Sequence, residues 1–178
     1  FAGLFNDSFG AINNDILSLI GISPIPWMTN ANWTRIALLL MQGWLGFPYV
    51  FIVTTGVLQS IPEDLYEAAI IDGATAFSKF RHITLPLILT AMAPIIITQY
   101  TFNFNNFNII YLFNGGGPAV PGSTAGGTDI LVSWIYKLTM QSSQYSLAAA
   151  LTILLSVFVI GIALWQFRRT NSFKGSDS

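Results

Sequence analysis

The stretch Glu67-Ala68-Ala69-Ile70-Ile71-Asp72-Gly73-Ala74, carried on to Phe80, Ile83, Leu85 and Pro86, decides how this chain is read. It lies in the longest charged stretch of an otherwise apolar sequence. Just upstream, Ser60 and Glu63 have the spacing of a capping box, and Pro62 stands at an early helical position where its missing N–H costs nothing. These signals predict a helix over 61–72, ended by Gly73 in the left-handed conformation. Thr75 is the expected cap of a second short helix over 76–81. Leu65, Ala68, Ala69 and Asp72 share a face of the first helix. The small side chains of Ala68, Ala69 and Ala74 permit close approach by a partner surface, and Glu67 sets a carboxylate beside them. Such a helix is suited to a groove of another protein. On physics alone, a solvated helix between two apolar segments is the other reading.

Outward from this loop the chain turns apolar. Three segments, about 36–58, 85–107 and 147–167, each hold about 20 or more residues, and at about 1.5 Å per residue each spans the hydrocarbon thickness of a bilayer. None has Lys, Arg, Asp or Glu in its interior. Three buried helices of a soluble protein are the alternative, but that protein would need a charged surface. The 178 residues are 53% hydrophobic and 8% charged, against roughly 25% charged in soluble domains. The length fits one domain. A net charge of −1 gives no basic patch for nucleic acid, and the absence of cysteine excludes disulfides, thiol catalysis and Cys-based metal sites. No signal-peptide pattern is visible, and Phe1 in the first position predicts further sequence upstream.

The basic residues orient the spans. Lys79, Arg81, Arg168, Arg169 and Lys174 fall on one side, and Arg35 and Lys137 on the other. The Glu67 loop and the C-terminus are therefore expected in the cytoplasm, with the residues before Ile36 and the connection over 114–144 outside. Phe1 to Phe5 read as the end of an earlier span. The region 9–20 has helical spacing at Ile12, Ile16, Leu19 and Ile20 but is too short to span, so it is expected to lie on the outer interface. Trp27 and Trp33 are expected as headgroup anchors. A second interfacial helix over 129–140, capped by Thr128, would add Trp134 and Tyr136 as anchors. The loop over 114–128 is rich in Gly, Pro and Ser but lacks the Lys and preceding strand of a phosphate cradle. ATP hydrolysis is accordingly assigned to a partner. His82, the only histidine, reads as a solvated loop residue. No carboxylate pair has metal or acid/base spacing within a span, and the lack of intramembrane charge disfavours an ion-coupled carrier.

Phe102-Asn103-Phe104-Asn105-Asn106-Phe107-Asn108 interrupts the second apolar segment with amides. A lone strand cannot satisfy its backbone in lipid, so a helix is expected, with Asn103 and Asn106 on one face. Two roles stay open: hydrogen-bonding glue between helices, or the lining of a watery pathway with aromatic neighbours that suits a sugar.

The Glu67 stretch fills every fixed position of EAAxxDGAxxxxxFxxIxLP and resembles the signature of permease subunits in bacterial binding-protein-dependent ABC importers. Asn103 to Asn108, Gly115-Gly116-Gly117-Pro118, Thr128-Asp129-Ile130-Leu131-Val132 and Leu147-Ala148-Ala149-Ala150 resemble, more narrowly, the larger permease subunit of maltose/maltodextrin importers, over about 33–167. The resemblance implies an all-α membrane fold of the type I ABC importer (MetI-like) kind. Residues 1–178 would be its C-terminal part, with three transmembrane helices, interfacial helices and a cytoplasmic coupling helix in a loop at about 60–84. It implies that Glu67, Ala68, Ala69, Asp72 and Gly73 dock on an ATPase. It places sugar contacts at Leu45, Gly46, Tyr49, Phe102, Asn103 and Asn106, with Gln42 and Gln99 at lining positions of less fixed type. Pro48 and Pro94 would kink their helices near the site. The implied partners are a second permease subunit, an ATPase dimer using ATP and Mg, an extracellular sugar-binding protein, membrane lipid and maltose or maltodextrin; the chain itself would carry no cofactor. Another oligosaccharide, or a non-transporting scaffold or receptor, stands as the alternative.

Overall fold

The computed structural model describes residues 1–169, and every named element among them is helical. The expected first span is helix α1, Ala31–Gln59. Helix α2, Glu63–Ile71, and the short α3, Ala76–Lys79, follow. A π-helical stretch, Phe80–Thr84, runs on into α4, Leu85–Phe104. Then come α5, Phe107–Asn114, α6, Leu131–Met140, and α7, Tyr145–Arg169. Lys174, counted above for orientation, lies outside the described residues.

Three helical stretches, Ala31–Gln59, Ala76–Asn114 and Tyr145–Trp165, are long and apolar enough to cross a membrane. Leu39, Trp44 and Ile52 on α1, Leu89 and Ile96 on α4, and Ile153 and Val157 on α7 are exposed. Apolar side chains exposed along helices of this length suit them to the interior of a membrane. Four hydroxyls on these helices are satisfied locally: Thr55, Thr90, Thr98 and Thr152 donate to the carbonyls of Phe51, Pro86, Pro94 and Ala148. Such bonds leave no bare donor for lipid to solvate. Pro48 and Pro94 lie inside α1 and α4, so the carbonyls of Trp44 and Thr90 have no helical N–H partner four residues on.

The described chain divides into two compact units, one of Phe1–Leu45 with Asn103–Gly161, the other of Gly46–Phe102 with 162–169. The first unit's core gathers Phe5, Trp27, Ala37, Leu38, Met41, Ile110 and Phe113. Phe5 meets Trp27 and Phe113 edge-on, at centroid distances of 5.3 and 5.9 Å, the favoured aromatic geometry. Trp27 is thus a core residue, 6% exposed, and not the headgroup anchor that its type and position predict. The reason is Asn13, fourteen residues earlier, whose Oδ1 accepts the Trp27 indole N–H at 2.9 Å and so supplies the polar partner that an interface would otherwise give.

Asn13 is 2% exposed. Its amide also donates to the carbonyls of Asp7 and Ile25 and accepts the N–H of Ile25. Removing the amide leaves these groups buried and unmet. Asn13→Ala is expected to destabilise the protein by about 3 kcal/mol, read as a lowered Tm of the full-length protein in detergent; an unchanged Tm would show that water replaces the amide at no cost. The helix expected around 9–20 is present, with a π-helical centre at Ile12–Leu17 and with Ile16, Leu19 and Ile20 exposed.

The glycine-rich connection is held by one carboxylate. Asp129 accepts the Gly126 N–H at 2.6 Å, the Ser133 hydroxyl at 2.8 Å and the Lys137 ammonium at 2.5 Å. Its side chain is 2% exposed and that of Lys137 12%. Gly116, at φ +78°, sits where a Cβ would overlap the Asp129 carboxylate, so only glycine lets the loop close on that group. Thr128 does not cap α6: its hydroxyl donates to the Gly117 carbonyl at 2.5 Å, the helix starts at Leu131, and Ser133 Oγ accepts the Ile130 N–H instead.

Candidate functional site

Helix α2 begins at Glu63, two residues later than its expected start. The capping box does not form. Ser60 donates its hydroxyl to the Val57 carbonyl at the end of α1, and Pro62, with ψ of 133°, stays outside the helix. Glu63 and Asp64 then occupy the first turn, where carboxylates complement the positive end of the helix dipole. The other end is as expected. Gly73 has φ of +74°, its N–H donates to the Ile70 carbonyl at 3.0 Å, and the Ala74 N–H donates to the Ala69 carbonyl at 2.9 Å. That pair of bonds is a Schellman ending. Thr75 caps α3 by accepting the Ser78 N–H at 3.2 Å.

The Tyr66 and Thr84 hydroxyls, 2.8 Å apart, tie α2 to the entry of α4. Glu67, Ala68, Asp72 and Gly73 are exposed, and Ala69 is half-buried. Around them Leu65, Ile70, Ile71 and Phe77 are also exposed, Ile71 at 86% and Phe77 at 72%. The small-residue face read from the sequence is therefore accompanied by large apolar side chains that the spacing argument did not single out. A run of apolar side chains beside acidic groups on one short helical loop has the character of an interaction site. His82 is exposed, as read from the sequence.

The amide cluster differs from expectation in its backbone. Asn103 and Asn106 do not share one helix face, because α4 ends at Phe104 and α5 starts at Phe107. Asn106 takes φ −75° and ψ 77°, its N–H donating to the Asn103 carbonyl at 3.2 Å, while the Phe107 N–H donates to the Asn105 carbonyl at 2.8 Å. Asparagines compete for local backbone groups in this way and open helices. The break turns both side chains to Gln42 of α1. Asn106 Nδ2 donates to Gln42 Oε1 at 3.0 Å, and Gln42 Nε2 donates to Asn103 Oδ1. Gln42, which the resemblance places only at a lining position, is the centre of the cluster.

These three amides open onto a cavity of about 520 Å³, walled by Leu38, Ile109 and Ile110 and bounded farther along by Arg35 and residues 127–130. Leu45 lines a neighbouring cavity of about 340 Å³ with Met41, Asn106 and Phe113. Gly46, Tyr49, Gln99 and Phe102 belong to the other compact unit; there Tyr49 and Phe102 are exposed and Gln99 is half-buried. The first unit also holds an aromatic group: Phe107 stacks on Tyr111 at 4.9 Å, and Tyr136 of α6 lies 5.0 Å from each. The hydrogen bond with Tyr111, then the charge of that neighbour, then burial hold the Tyr136 phenol above its ordinary pKa.

By keeping these amides bonded to one another at the break, the chain avoids the cost of unpaired polar groups in an apolar span. It belongs to the family described as binding-protein-dependent transport system inner membrane component, which it matches over residues 5–172. It is 83% identical over 174 residues to the galactooligosaccharides transport system permease protein GanP of Bacillus subtilis (strain 168), a match that covers 98% of this chain and 42% of the relative. The maltodextrin transport system permease protein MdxF of the same organism is 58% identical, over 99% of this chain and 42% of its own length. The chain thus spans about two fifths of the curated relatives it matches. Among solved structures, a bacterial alginate ABC transporter in complex with an alginate pentasaccharide-bound periplasmic protein superposes with a TM-score of 0.81 at 26% identity, covering 99% of this chain and 61% of that one. The expected fold, that of an ABC importer permease, is the fold found.

Proposed function

We infer that the chain is part of a permease subunit of an ATP-driven importer for oligosaccharides of neutral hexoses. The observation that carries this reading is the Gln42, Asn103 and Asn106 cluster at the helix break. Planar amides are groups that pair with the donor–acceptor hydroxyls of a sugar, and the leucine and isoleucine walls beside them match its apolar ring faces. The 83% relative favours galactooligosaccharides. Maltose or maltodextrin, implied by the resemblance read from the sequence, is the second reading, favoured by the 58% relative.

In this reading a second permease subunit completes the pathway and an external binding protein delivers the sugar to the outer loops. An ATPase pair, with its own ATP and Mg, grips α2 and α3 on the cytoplasmic side. The chain supplies binding and coupling and leaves hydrolysis to its partners. The test is uptake of labelled galactotriose and maltotriose by cells carrying the full-length permease with its companion permease, ATPase and binding protein. Saturable uptake of galactotriose, competed weakly by maltotriose, is expected. The reverse order of preference would establish maltodextrin, and no uptake of either with all subunits in the membrane would overturn the oligosaccharide reading.

A further inference from the structure

The 520 Å³ cavity has a second polar end, away from the amides. Arg35 lies seven residues before Gln42 on α1, so the two stand about 10 Å apart along the axis at about 1.5 Å per residue. Both line the cavity, and the wall between them is Leu38 and Leu39. Arg35 Nη1 donates to Asn32 Oδ1 at 3.1 Å, and Nη2 donates to the Gly127 carbonyl at 2.9 Å. Both acceptors are neutral. The carboxylate of Asp129, a residue that lines the same cavity, is committed to Lys137, Ser133 and the Gly126 N–H. A guanidinium carries five N–H donors in a rigid fork, and these two bonds use one on each terminal nitrogen. The loop that accepts one of them is itself fixed by Asp129, so the fork is held in place before any ligand arrives.

We propose that Arg35 and the Gly127 backbone form an outer saccharide subsite, which takes the third hexose unit of an oligosaccharide whose first unit rests on Gln42, Asn103 and Asn106 and whose second lies along Leu38 and Leu39. The proposal rests on the oligosaccharide reading above and assigns chain-length preference to Arg35. Two polar ends separated by two helical turns, with apolar side chains between, match three pyranose rings in line, each ring offering hydroxyls at its edge and C–H groups on its faces. A disaccharide occupies the amide end and the apolar wall, while a longer chain reaches the guanidinium.

The experiment compares uptake of galactobiose and galactotetraose by the complete transporter, unaltered and with Arg35→Gln or Arg35→Lys, with subunit amounts in the membrane checked by immunoblot. Arg35→Gln is expected to raise KM for the tetrasaccharide about tenfold, the loss of one hydrogen bond from a charged donor, and to leave the disaccharide near its original value. Arg35→Lys, which keeps the charge but not the fork, is expected to shift the tetrasaccharide by less. Equal change for both sugars would mean that Arg35 only fastens the loop, and no change for either would remove it from the pathway; each overturns the subsite. Absence of uptake in the unaltered transporter would instead remove the oligosaccharide reading itself.

Discussion

Gly73→Leu is expected to abolish uptake while the permease accumulates in the membrane in normal amount. The two halves of this expectation have separate causes. Gly73 ends α2 at φ +74°, and a side chain in that conformation costs about 1–2 kcal/mol, too little to unfold a membrane protein. Among the described residues nothing lies within 4 Å of a Cβ built there, so no clash with them adds to that cost. The leucine would instead project from a turn flanked by exposed Ile70, Ile71 and Phe77, onto the surface proposed to meet the ATPase. Gly73→Asn separates strain from bulk, since asparagine tolerates the left-handed region better than other residues. It should retain part of the uptake. Normal uptake in Gly73→Leu would mean that α2 and α3 make no close contact in the working transporter.

What could be read from the sequence follows the physics that each signal reports. Span length and the absence of charge report hydrocarbon thickness, and they located α1 and α7 to within a few residues at most ends. The Gly73 ending and the Thr75 cap were equally legible, because left-handed glycine and a threonine beside a helix start are local devices. The capping box at Ser60 failed because α1 runs to Gln59 and its last carbonyls compete for the same hydroxyl. The second span was misread at its C-terminal end. Period alone put Asn103 and Asn106 on one face, whereas three asparagines in four residues are a turn signal and α4 stops there. Trp27 and Thr128 were out of reach for another reason: their partners, Asn13 and Gly117, are set by tertiary packing, and residue type does not tell a headgroup anchor from a core indole. The same holds for Gln42, which bonds residues 61 and 64 positions away.

Asn103→Ala bears on the question the sequence left open, whether the amides are glue or pathway. Each amide offers two donors and two lone pairs. Gln42 donates once to Asn103 and accepts once from Asn106, so those two bonds leave a further N–H and a further lone pair on the central residue. Glue between apolar helices is worth about 1 kcal/mol per bond or less, since the separated helices find other partners. A pathway residue acts differently: without it, sugar hydroxyls leave water and meet no replacement, a penalty of about 1–3 kcal/mol. On the pathway reading, Asn103→Ala lowers uptake of galactotriose about tenfold or more at unchanged abundance and unchanged Tm in detergent. Gln42→Ala, which removes the centre of the cluster, lowers it further. The competing outcome is specific. If the cluster is glue, Asn103→Ala lowers Tm and membrane abundance, and uptake per permease molecule stays at its original value.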